Sequence, residues 1–399
     1  MRIAFVSANR EVLPDPVVPL GLLHVMAATP ARHERVFWDL CFEDEPLVAL
    51  ADRITENRPE LVAIGLRNIQ NSDYSDIEAN LHYYRDLVDT VRSVTPAPIV
   101  LGGAGFSVMP RDILERLDAD WGIAGEAEVA FPALVQALET GNLDGLGAVG
   151  RVFQLQDGHA ERLSAGPPRF LDLDALPAVG REAVDPRYYE QVGIEAVQTK
   201  RGCPMRCDYC TYPLIEGRKS RLRAPDRVVD EMEAALRTHS AIDHFFIVDS
   251  VFNLPPAHAK AICTELVHRG WSTPWTCYAN PIGFDRVLAE SMAAAGCAGM
   301  EIGADSGDDG VLKRLHKGFG TADLTRMHAL CADVGLKDCL TFILGTPGET
   351  LADVSRTLDF ITRVAPFAAI LMIWQDEAEA RDPSLAHHRR ALREGIEAL

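Results

Sequence analysis

"TKRGCPMRCDYCTYP", residues Thr199 to Pro213, places three cysteines within eight positions. Cys203, Cys207 and Cys210 follow the spacing C-x3-C-x2-C, and no fourth Cys or His occurs in the next twenty-five residues. A structural zinc site usually closes with four ligands, whereas a four-iron cluster held by three cysteines leaves one iron open to another ligand. The spacing therefore favours an iron–sulfur cluster with an open iron over a zinc site.

The composition is that of a globular protein, because 47% of the 399 residues are apolar and 24% are charged. A chain of this length predicts two domains of ordinary size. The formal net charge of −19 argues against a nucleic-acid partner, since duplex binders present clustered Lys and Arg to the phosphates. No secretion signal and no apolar run of about 18 residues is visible, so we expect no membrane span and a cytoplasmic location.

Six further cysteines are scattered along the chain. Without a secretion signal a disulfide framework is not expected, and apolar neighbours predict that these thiols are buried and inert. They are Cys41, Cys263, Cys277, Cys297, Cys331 and Cys339.

The second half of the chain, residues 193–399, alternates short β-rich runs with helical stretches. The runs are IEAVQT (194–199), HFFIVD (244–249), WTCYAN (275–280), GMEIGA (299–304), LTFILG (340–345) and AAILMI (368–373). This order predicts either an open parallel sheet or an incomplete barrel, with the chemistry on loops at the carboxyl ends of the strands. The three cysteines lie in the first of these loops.

The first half, residues 1–140, alternates in the same way and predicts a doubly wound, Rossmann-like parallel sheet. Its runs are RIAFVS (2–7), ERVFWDL (34–40), LVAIGL (61–66), PIVLGG (98–103) and DWGIAG (120–125). Ligands of such sheets sit at the carboxyl ends of strands. There, Gly102, Gly103 and Gly105 permit either a close backbone approach or a tight turn. Residues 141–192 break the alternation and predict an ordered linker, with a hairpin turning at Asp157-Gly158.

The cysteine trio, with the aromatic Tyr209 before its last member, resembles the signature of the radical S-adenosylmethionine (SAM) enzymes. The resemblance implies a partial (β/α)6 barrel and a [4Fe-4S] cluster held by Cys203, Cys207 and Cys210. It also implies that the open iron binds the amino and carboxylate groups of SAM. An electron from the cluster then cleaves SAM to methionine and a 5′-deoxyadenosyl radical.

Four later segments are similar to the strand ends of the same superfamily, in the same order. They are VDSVFN (248–253), CYANP (277–281), EIGADSGDDGVLKRLHKG (301–318) and FILGTPGET (342–350). The resemblance implies that these segments and Tyr209 contact the amino group, ribose, carboxylate or adenine of SAM. The residues expected to do so are Tyr209, Asp249, Ser250, Asn280, Asp305, Ser306 and Gly345.

The front domain resembles the cobalamin-binding domain of the cobalamin-dependent radical SAM class. The segments that carry this resemblance are VVPLGLLHVMAA (17–28), GLRNIQNSD (65–73), LGGAGFSVMP (101–110) and GEAEVAFPAL (125–134). It implies cobalamin contacts from Asn68, Ser72, Gly102, Gly103, Gly105 and Glu126. The Asp-x-His-x-x-Gly motif of cobalamin mutases is absent, so no His of that motif ligates cobalt, which suits methyl transfer. A domain that has lost its cofactor and serves as scaffold is the alternative.

The leading hypothesis is an enzyme that methylates an unactivated carbon of a small molecule, supplied with electrons by a one-electron reductant such as flavodoxin or ferredoxin. Rearrangement, ring closure or other bond formation without net methyl transfer is one alternative. A cobalamin or iron–sulfur sensor without turnover is another. The resemblance thins after the sixth strand, so we expect either a small substrate bound between the two domains or a partner or missing segment that completes the site. The basic run EGRKSRLR (216–223) predicts a solvated loop or a site for carboxylate or phosphate.

Overall fold

The computed structural model describes residues 1–12, 15–69, 77–163, 171–374 and 394–396. The chain forms two compact units. The first comprises Met1–Ala196, Thr211–Gly217 and Glu231–Ile242, and the second comprises Val197–Cys210, Arg218–Asp230 and Asp243–Leu399.

The first unit is built on a seven-stranded sheet with helices on both faces. Its strands are β1 (Arg2–Ser7), β2 (Glu34–Asp39), β3 (Leu61–Gly65), β4 (Ile99–Gly102), β5 (Trp121–Ala124), β6 (Arg151–Gln156) and β7 (His159–Arg162). Its helices up to residue 192 are α1 (Leu20–Ala28), α2 (Pro46–Asn57), α3 (Ile77–Val94), α4 (Ala104–Val108), α5 (Pro110–Leu117), α6 (Ala130–Thr140) and α7 (Arg187–Val192), with 3-10 turns at Leu146–Ala148 and Leu173–Ala175.

The strand order of this sheet is β2-β1-β3-β4-β5-β6-β7, and β1 to β5 pair in parallel. Alternate residues of one strand join different apolar cores, because Val6 packs with one group of buried side chains and Phe5 with the other. A parallel strand covered on both faces is apolar throughout for this reason. The predicted doubly wound sheet is thus confirmed.

The hairpin β6–β7 extends the sheet beyond β5 by antiparallel pairing. Its turn residues Asp157 and Gly158 have φ values of 50° and 79°, the left-handed pair that a two-residue hairpin loop requires. The segment predicted as a linker therefore contributes two strands to this sheet.

A buried ion triad holds β8 (Ile194–Val197) in place. The Arg181 guanidinium lies 3.0 Å from Glu195 of β8 and 2.8 Å from Glu231, and the side chains of Arg181 and Glu195 are at most 2% exposed. Tyr189 donates a hydrogen bond to Glu195. Because every charge is paired, removing one member would leave an uncompensated buried charge. The strand that leads toward the cysteine loop is therefore firmly anchored.

The remaining elements alternate from β8 to the last strand. The strands are β9 (Lys200–Arg201), β10 (Arg221–Leu222), β11 (His244–Ile247), β12 (Trp275–Ala279), β13 (Cys297–Asp305), β14 (Lys337–Leu344) and β15 (Ala368–Ile373). The helices are α8 (Tyr212–Ile215), α9 (Pro225–Thr238), α10 (Pro256–His268), α11 (Arg286–Ala294), α12 (Asp309–Arg314), α13 (Thr321–Val334) and α14 (Leu351–Val364).

Six of these strands form the sheet of a partial (β/α)6 barrel, in the order β15-β14-β13-β12-β11-β8. Strands β11 to β15 pair in parallel, with helices in the connections. Side chains of Asp285, Asp308 and Thr350 cap the helices that follow β12, β13 and β14, which satisfies their first backbone N–H groups. The order of elements predicted from the sequence is confirmed.

Candidate cluster and cofactor site

The cysteine loop follows β9 in the second unit. Cys203 is 5% exposed and packs with the apolar side chains of Val251 and Leu254, while Met205 and Ile282 pack against the same group. Cys207 and Cys210 are half-buried, and none of the three thiols forms a disulfide with a described residue. The loop thus offers three sulfur donors on a partly dry surface, which is the donor set that an iron–sulfur cluster uses.

Two opposing effects act on the thiol in the middle of the loop. Burial raises the pKa of the Cys207 thiol, while the positive charge of Lys317 acts in the opposite direction. A metal ion deprotonates a coordinating thiol outright. Within the described ranges of the chain, no three His, Cys, Asp or Glu side chains converge on the position of a single metal ion.

Asp249, at the end of β11, supports the strand that enters this loop. It is fully buried, and its carboxylate accepts hydrogen bonds from the backbone N–H groups of Thr199 and Lys200 at 2.7 and 3.1 Å. The Thr199 hydroxyl donates to its other oxygen. Asp249 therefore positions the start of the cysteine loop, and its predicted contact with SAM stays a prediction.

Tyr209, inside the cysteine motif, is tied to the end of β13. Its hydroxyl donates to the carboxylate of Asp305, and the Lys317 ammonium lies 2.5 Å from the same carboxylate and 3.0 Å from the Tyr209 oxygen. The side chains of Asp305 and Lys317 are 4% and 6% exposed. This buried triad fixes the position of the residue between Cys207 and Cys210.

A break in the strand register places Asp305 in this triad. The pairing of β13 with β14 shifts between Gly303 and Asp305, and Asp305 has the left-handed φ of 62°. A bulge changes the direction of the side chains that follow it. The strained backbone at Asp305 therefore turns its carboxylate toward Tyr209 and Lys317. Lys317 was missed by sequence reasoning, although it lies within the quoted segment 301–318, because a lone Lys in a helix–loop stretch carries no signal of burial.

The other predicted SAM residues lie at ends of neighbouring strands. The Ser250 hydroxyl donates to the Gly202 carbonyl at 3.5 Å, and the Asn280 side-chain oxygen accepts from the Ile282 N–H at 2.9 Å. Ser306 is fully buried, and its hydroxyl lies 3.1 Å from that of Thr357. Gly345 opens a turn with a φ of 79°. The barrel thus brings these positions to one edge of the sheet, and their contacts with SAM stay predictions.

Two buried polar atoms at this edge have no hydrogen-bond partner among the described residues. They are the Lys200 ammonium, on the strand before the cysteine loop, and the Oε1 oxygen of Glu349, in the turn after β14. The second carboxylate oxygen of Glu349 accepts from Thr346, while burial raises the pKa of the group. Orphaned buried groups of this kind are rare. A ligand with both N–H donors and oxygen acceptors, such as SAM, fits them.

In the first unit, the predicted glycines pack against protein backbone. Gly103 has a φ of 98°, and a Cβ atom there would overlap the carbonyl of Leu66. A Cβ at Gly105 would lie 3.0 Å from the backbone carbon of Asn68, whereas one at Gly102 would meet only an ordinary contact at 3.7 Å. Close approach of two loops therefore explains Gly103 and Gly105. Contact of the three glycines with a cofactor stays a prediction.

A cavity of about 280 Å³ lies at the carboxyl ends of β1 and β3. This is the point where the strand order reverses, which is the usual ligand position in an open α/β sheet. The lining residues are Ala8, Asn9, Arg10, Glu11, Asn68, Asn80, Tyr83 and Tyr84.

Asn68 is therefore at the cavity, where its carbonyl accepts a hydrogen bond from Tyr84 at 2.6 Å. The buried Tyr83 hydroxyl has no partner among the described residues, so a polar ligand group fits there. Glu126 is half-buried directly after β5. Ser72 lies outside the described residues, and the predicted cofactor contacts of all three stay predictions.

Five of the six remaining cysteines are buried, as predicted, and one is not. Cys41, Cys263, Cys277, Cys297 and Cys331 are buried and free, but Cys339 on β14 is only half-buried. Burial raises the pKa of Cys41 to about 11 and of Cys263 and Cys331 to about 12. Cys339 points to the opposite face of its strand from the buried Leu340.

Two family models match the chain. The B12 binding domain matches residues 6–135, and the radical SAM superfamily matches residues 197–361. No helix in the described part of the chain is long and apolar enough to cross a membrane.

Two curated relatives match nearly the whole chain. A tryptophan 2-C-methyltransferase of Streptomyces laurentii is 30% identical over 90% of this chain and 69% of the relative. An uncharacterized methyltransferase of Pyrococcus horikoshii is 24% identical over 90% of this chain and 76% of the relative.

Among solved structures, the chain is similar to the radical SAM methyltransferase TsrM from Kitasatospora setae. The complex with tryptophan and a SAM analogue superposes with a TM-score of 0.80 and 27% identity, covering 93% of this chain and 72% of TsrM. A second TsrM structure, with cobalamin and a [4Fe-4S] cluster bound, has a TM-score of 0.80, 26% identity and coverage of 94% and 72%.

Proposed function

This chain belongs to the cobalamin-dependent radical SAM enzymes, and on that premise we propose that it transfers a methyl group to an unactivated carbon of a small molecule. The observation that carries the proposal is the presence, in one chain, of a B12 binding domain and a radical SAM barrel with three cysteines in its first loop. The methyltransferase relatives support the methyl-transfer outcome.

The cofactors supply the bond-breaking chemistry. When bound, the reduced [4Fe-4S] cluster supplies the electron that cleaves SAM to a 5′-deoxyadenosyl radical, and cobalamin carries the methyl group. Cys203, Cys207 and Cys210 would hold the cluster. The Lys200 ammonium and the Oε1 oxygen of Glu349 would contact SAM, and the cavity beside Asn68 would hold part of the cobalamin.

The protein contributes position and dryness at the cluster loop. Asp249 holds the strand that enters the loop, and the triad of Tyr209, Asp305 and Lys317 holds its far end. The apolar group around Cys203 excludes water from one side. A fixed and partly dry environment strengthens electrostatic interactions and prevents a reactive radical from being quenched.

Methyl transfer is tested by following the methyl group of labelled SAM. The anaerobically reconstituted protein, supplied with cobalamin, is incubated with methyl-labelled SAM and tryptophan as the first probe. We expect label in the corrinoid fraction and, with an accepted substrate, in the product. Formation of 5′-deoxyadenosine with label in neither the corrinoid fraction nor the product would contradict methyl transfer and favour a radical rearrangement.

We propose further that an acidic one-electron carrier such as flavodoxin or ferredoxin reduces the cluster. The support is a basic surface of the second unit, composed of Arg206, Arg218 and Lys219, on a chain of net charge −19. All three side chains are exposed. Arg206 directly precedes Cys207, and Arg218 donates to the Met205 carbonyl of the same loop at 2.9 Å. Opposite charge steers such transient redox partners to the correct face.

Charge reversal separates docking from chemistry. The variant R206E/R218E/K219E should reduce SAM cleavage driven by flavodoxin about tenfold or more at low salt, with a weaker effect at high salt. Cleavage driven by dithionite, which needs no protein docking, should be unchanged. Arg326→Glu, an exposed Arg on α13, is the control. Equal loss with both reductants would show damage to the cluster site instead, and unchanged flavodoxin-driven rates would refute the docking surface.

The remaining parts of the proposal concern location and partners. We propose a cytoplasmic enzyme whose substrate is a small molecule and which has no nucleic-acid partner, because the net charge is strongly negative.

A further inference from the structure

The barrel sheet has one face covered by helices and one that they leave open. On the covered face, Phe342 of β14 contacts Phe360 of α14, with ring centroids 6.5 Å apart. Cys277 and Met300 on this face are at most 2% exposed. Residues of opposite parity, namely Phe246, Tyr278, Glu301 and Cys339, are half-buried. Since side chains alternate across a strand, these half-buried residues line the inner, concave face of the barrel.

One row of this inner face crosses three strands. Tyr278 of β12 is in register with Glu301 of β13, and Glu301 is in register with Cys339 of β14. Phe246 of β11 packs edge-on against Tyr278, with ring centroids 4.9 Å apart. The inner face therefore presents a carboxylate beside two aromatic rings and a thiol.

Glu301 is the unusual member of this row. Among the described residues it has no hydrogen-bond or ion-pair partner, and burial alone raises its pKa. A half-buried carboxylate without a partner destabilises the protein, because no hydrogen bond compensates for the water that the group loses on burial. Every other buried or half-buried acid at this end of the barrel that was named above, namely Asp249, Asp305 and Glu349, accepts hydrogen bonds from protein groups.

The chemistry of the row selects a kind of ligand. An ammonium or other N–H group satisfies a carboxylate through a charge-assisted hydrogen bond. Neighbouring aromatic rings attract the same cation and accept the apolar body of the ligand. A carboxylate or phosphate group would be repelled by Glu301 instead.

We propose that the inner face of the barrel binds the substrate through a protonated amine, with Glu301 as its acceptor and Tyr278 and Phe246 as the surface for the adjoining apolar group. This inference rests on the proposed function and narrows its substrate class to small amines with an aromatic or apolar body. Glu301 is a specificity-determining residue, and it takes no part in hydrogen abstraction.

A binding experiment with a matched pair of probes tests this inference without turnover. The cluster-loaded protein is titrated with 2-phenylethylamine and with its neutral analogue 2-phenylethanol by calorimetry under anaerobic conditions. We expect the amine to bind about tenfold more tightly than the alcohol. Glu301→Gln, which keeps the shape and removes the charge, should abolish this difference and leave alcohol binding unchanged.

The control variant is Glu290→Gln on α11, an exposed carboxylate that should leave both affinities unaltered. Thermal unfolding of each variant establishes that it is folded. Equal affinity of the wild-type protein for both probes, or equal loss of both in Glu301→Gln, would overturn the assignment. Label transfer from SAM is recorded on the same preparations. Tighter binding of the amine without methyl transfer would therefore count against the proposed function alone. Methyl transfer without tighter binding of the amine would count against the role of Glu301 alone.

Discussion

Two loops that follow strands, the glycine turn after β4 and the cysteine loop after β9, are held in different ways. Gly103 and Gly105 lie against the backbone of residues 66–68. The turn can pack this closely because neither residue has a side chain. The cysteine loop is fixed by side chains, through Asp249 at one end and the triad of Tyr209, Asp305 and Lys317 at the other. A residue of a binding motif can thus stabilise the fold instead of contacting a ligand. Its neighbours in the structure show which of the two roles it has.

The largest expected effect separates the cluster thiols from the buried ones. Replacing Cys203, Cys207 or Cys210 by Ala should remove iron, sulfide and all SAM cleavage, because three irons need three thiolates. Cys331→Ala, which changes a fully buried thiol under the barrel sheet, should keep the cluster. Iron and sulfide analysis with the visible spectrum measures both. Retention of a full cluster in any of the first three variants would refute the assignment of that ligand.

The next effect tests whether the side-chain anchor of the cysteine loop depends on buried charge. Asp305→Asn leaves the Lys317 ammonium without its counter-charge, so we expect a loss of about 3 kcal/mol in unfolding free energy. Asp208→Asn in the same loop affects an exposed pair with His316, 60% and 63% exposed. We expect at most about 1 kcal/mol from it. Denaturant titrations compare the two, and equal effects would show that the triad is not a buried charge network.

A smaller effect is expected at the glycine turn. Gly103→Ala places a Cβ against the Leu66 carbonyl at a positive φ, which should cost about 2–4 kcal/mol, the sum of overpacking and left-handed strain. Gly102→Ala meets only an ordinary contact and should cost less than about 1 kcal/mol. Thermal unfolding distinguishes them. If Gly103→Ala were as stable as Gly102→Ala but lost cobalamin, the glycine would serve the ligand rather than the packing.

The smallest effect concerns the thiol of Cys41 in the first unit. Its pKa is raised from 9.0 to about 11 by burial, so between pH 9 and 11 the unfolded chain releases a proton that the native state keeps. Stability should therefore fall as the pH rises through this window, by up to about 1.4 kcal/mol per pH unit from this group. Cys41→Ala should show a weaker dependence of unfolding free energy on pH in titrations between pH 9 and 11. Identical slopes would show that the thiol is not protected.

Most strands and helices could be predicted from the sequence, because the periodicity of apolar residues that distinguishes them is a local property of the chain. Eleven strands and the loop with the three cysteines lie where the sequence predicts them. The contacts of Asp249 with Thr199 and of Lys317 with Tyr209 could not be predicted from local patterns, because the partners lie 50 and 108 positions apart in the sequence. The role of Glu301 was missed for a related reason. A lone Glu in an apolar run becomes notable only when its register neighbours are known.

The spacing of three thiols and the alternation of strands and helices determined, from the sequence alone, the class of cluster and the architecture that carries it. Both follow from short-range geometry, since ligand spacing and hydrophobic periodicity are written along the chain. Only the tertiary structure decided which polar residues form hydrogen bonds or ion pairs within the protein and which have no protein partner and can bind a ligand. The physical reason is that a buried charge must be paired, and its partner is chosen by the packing of distant segments.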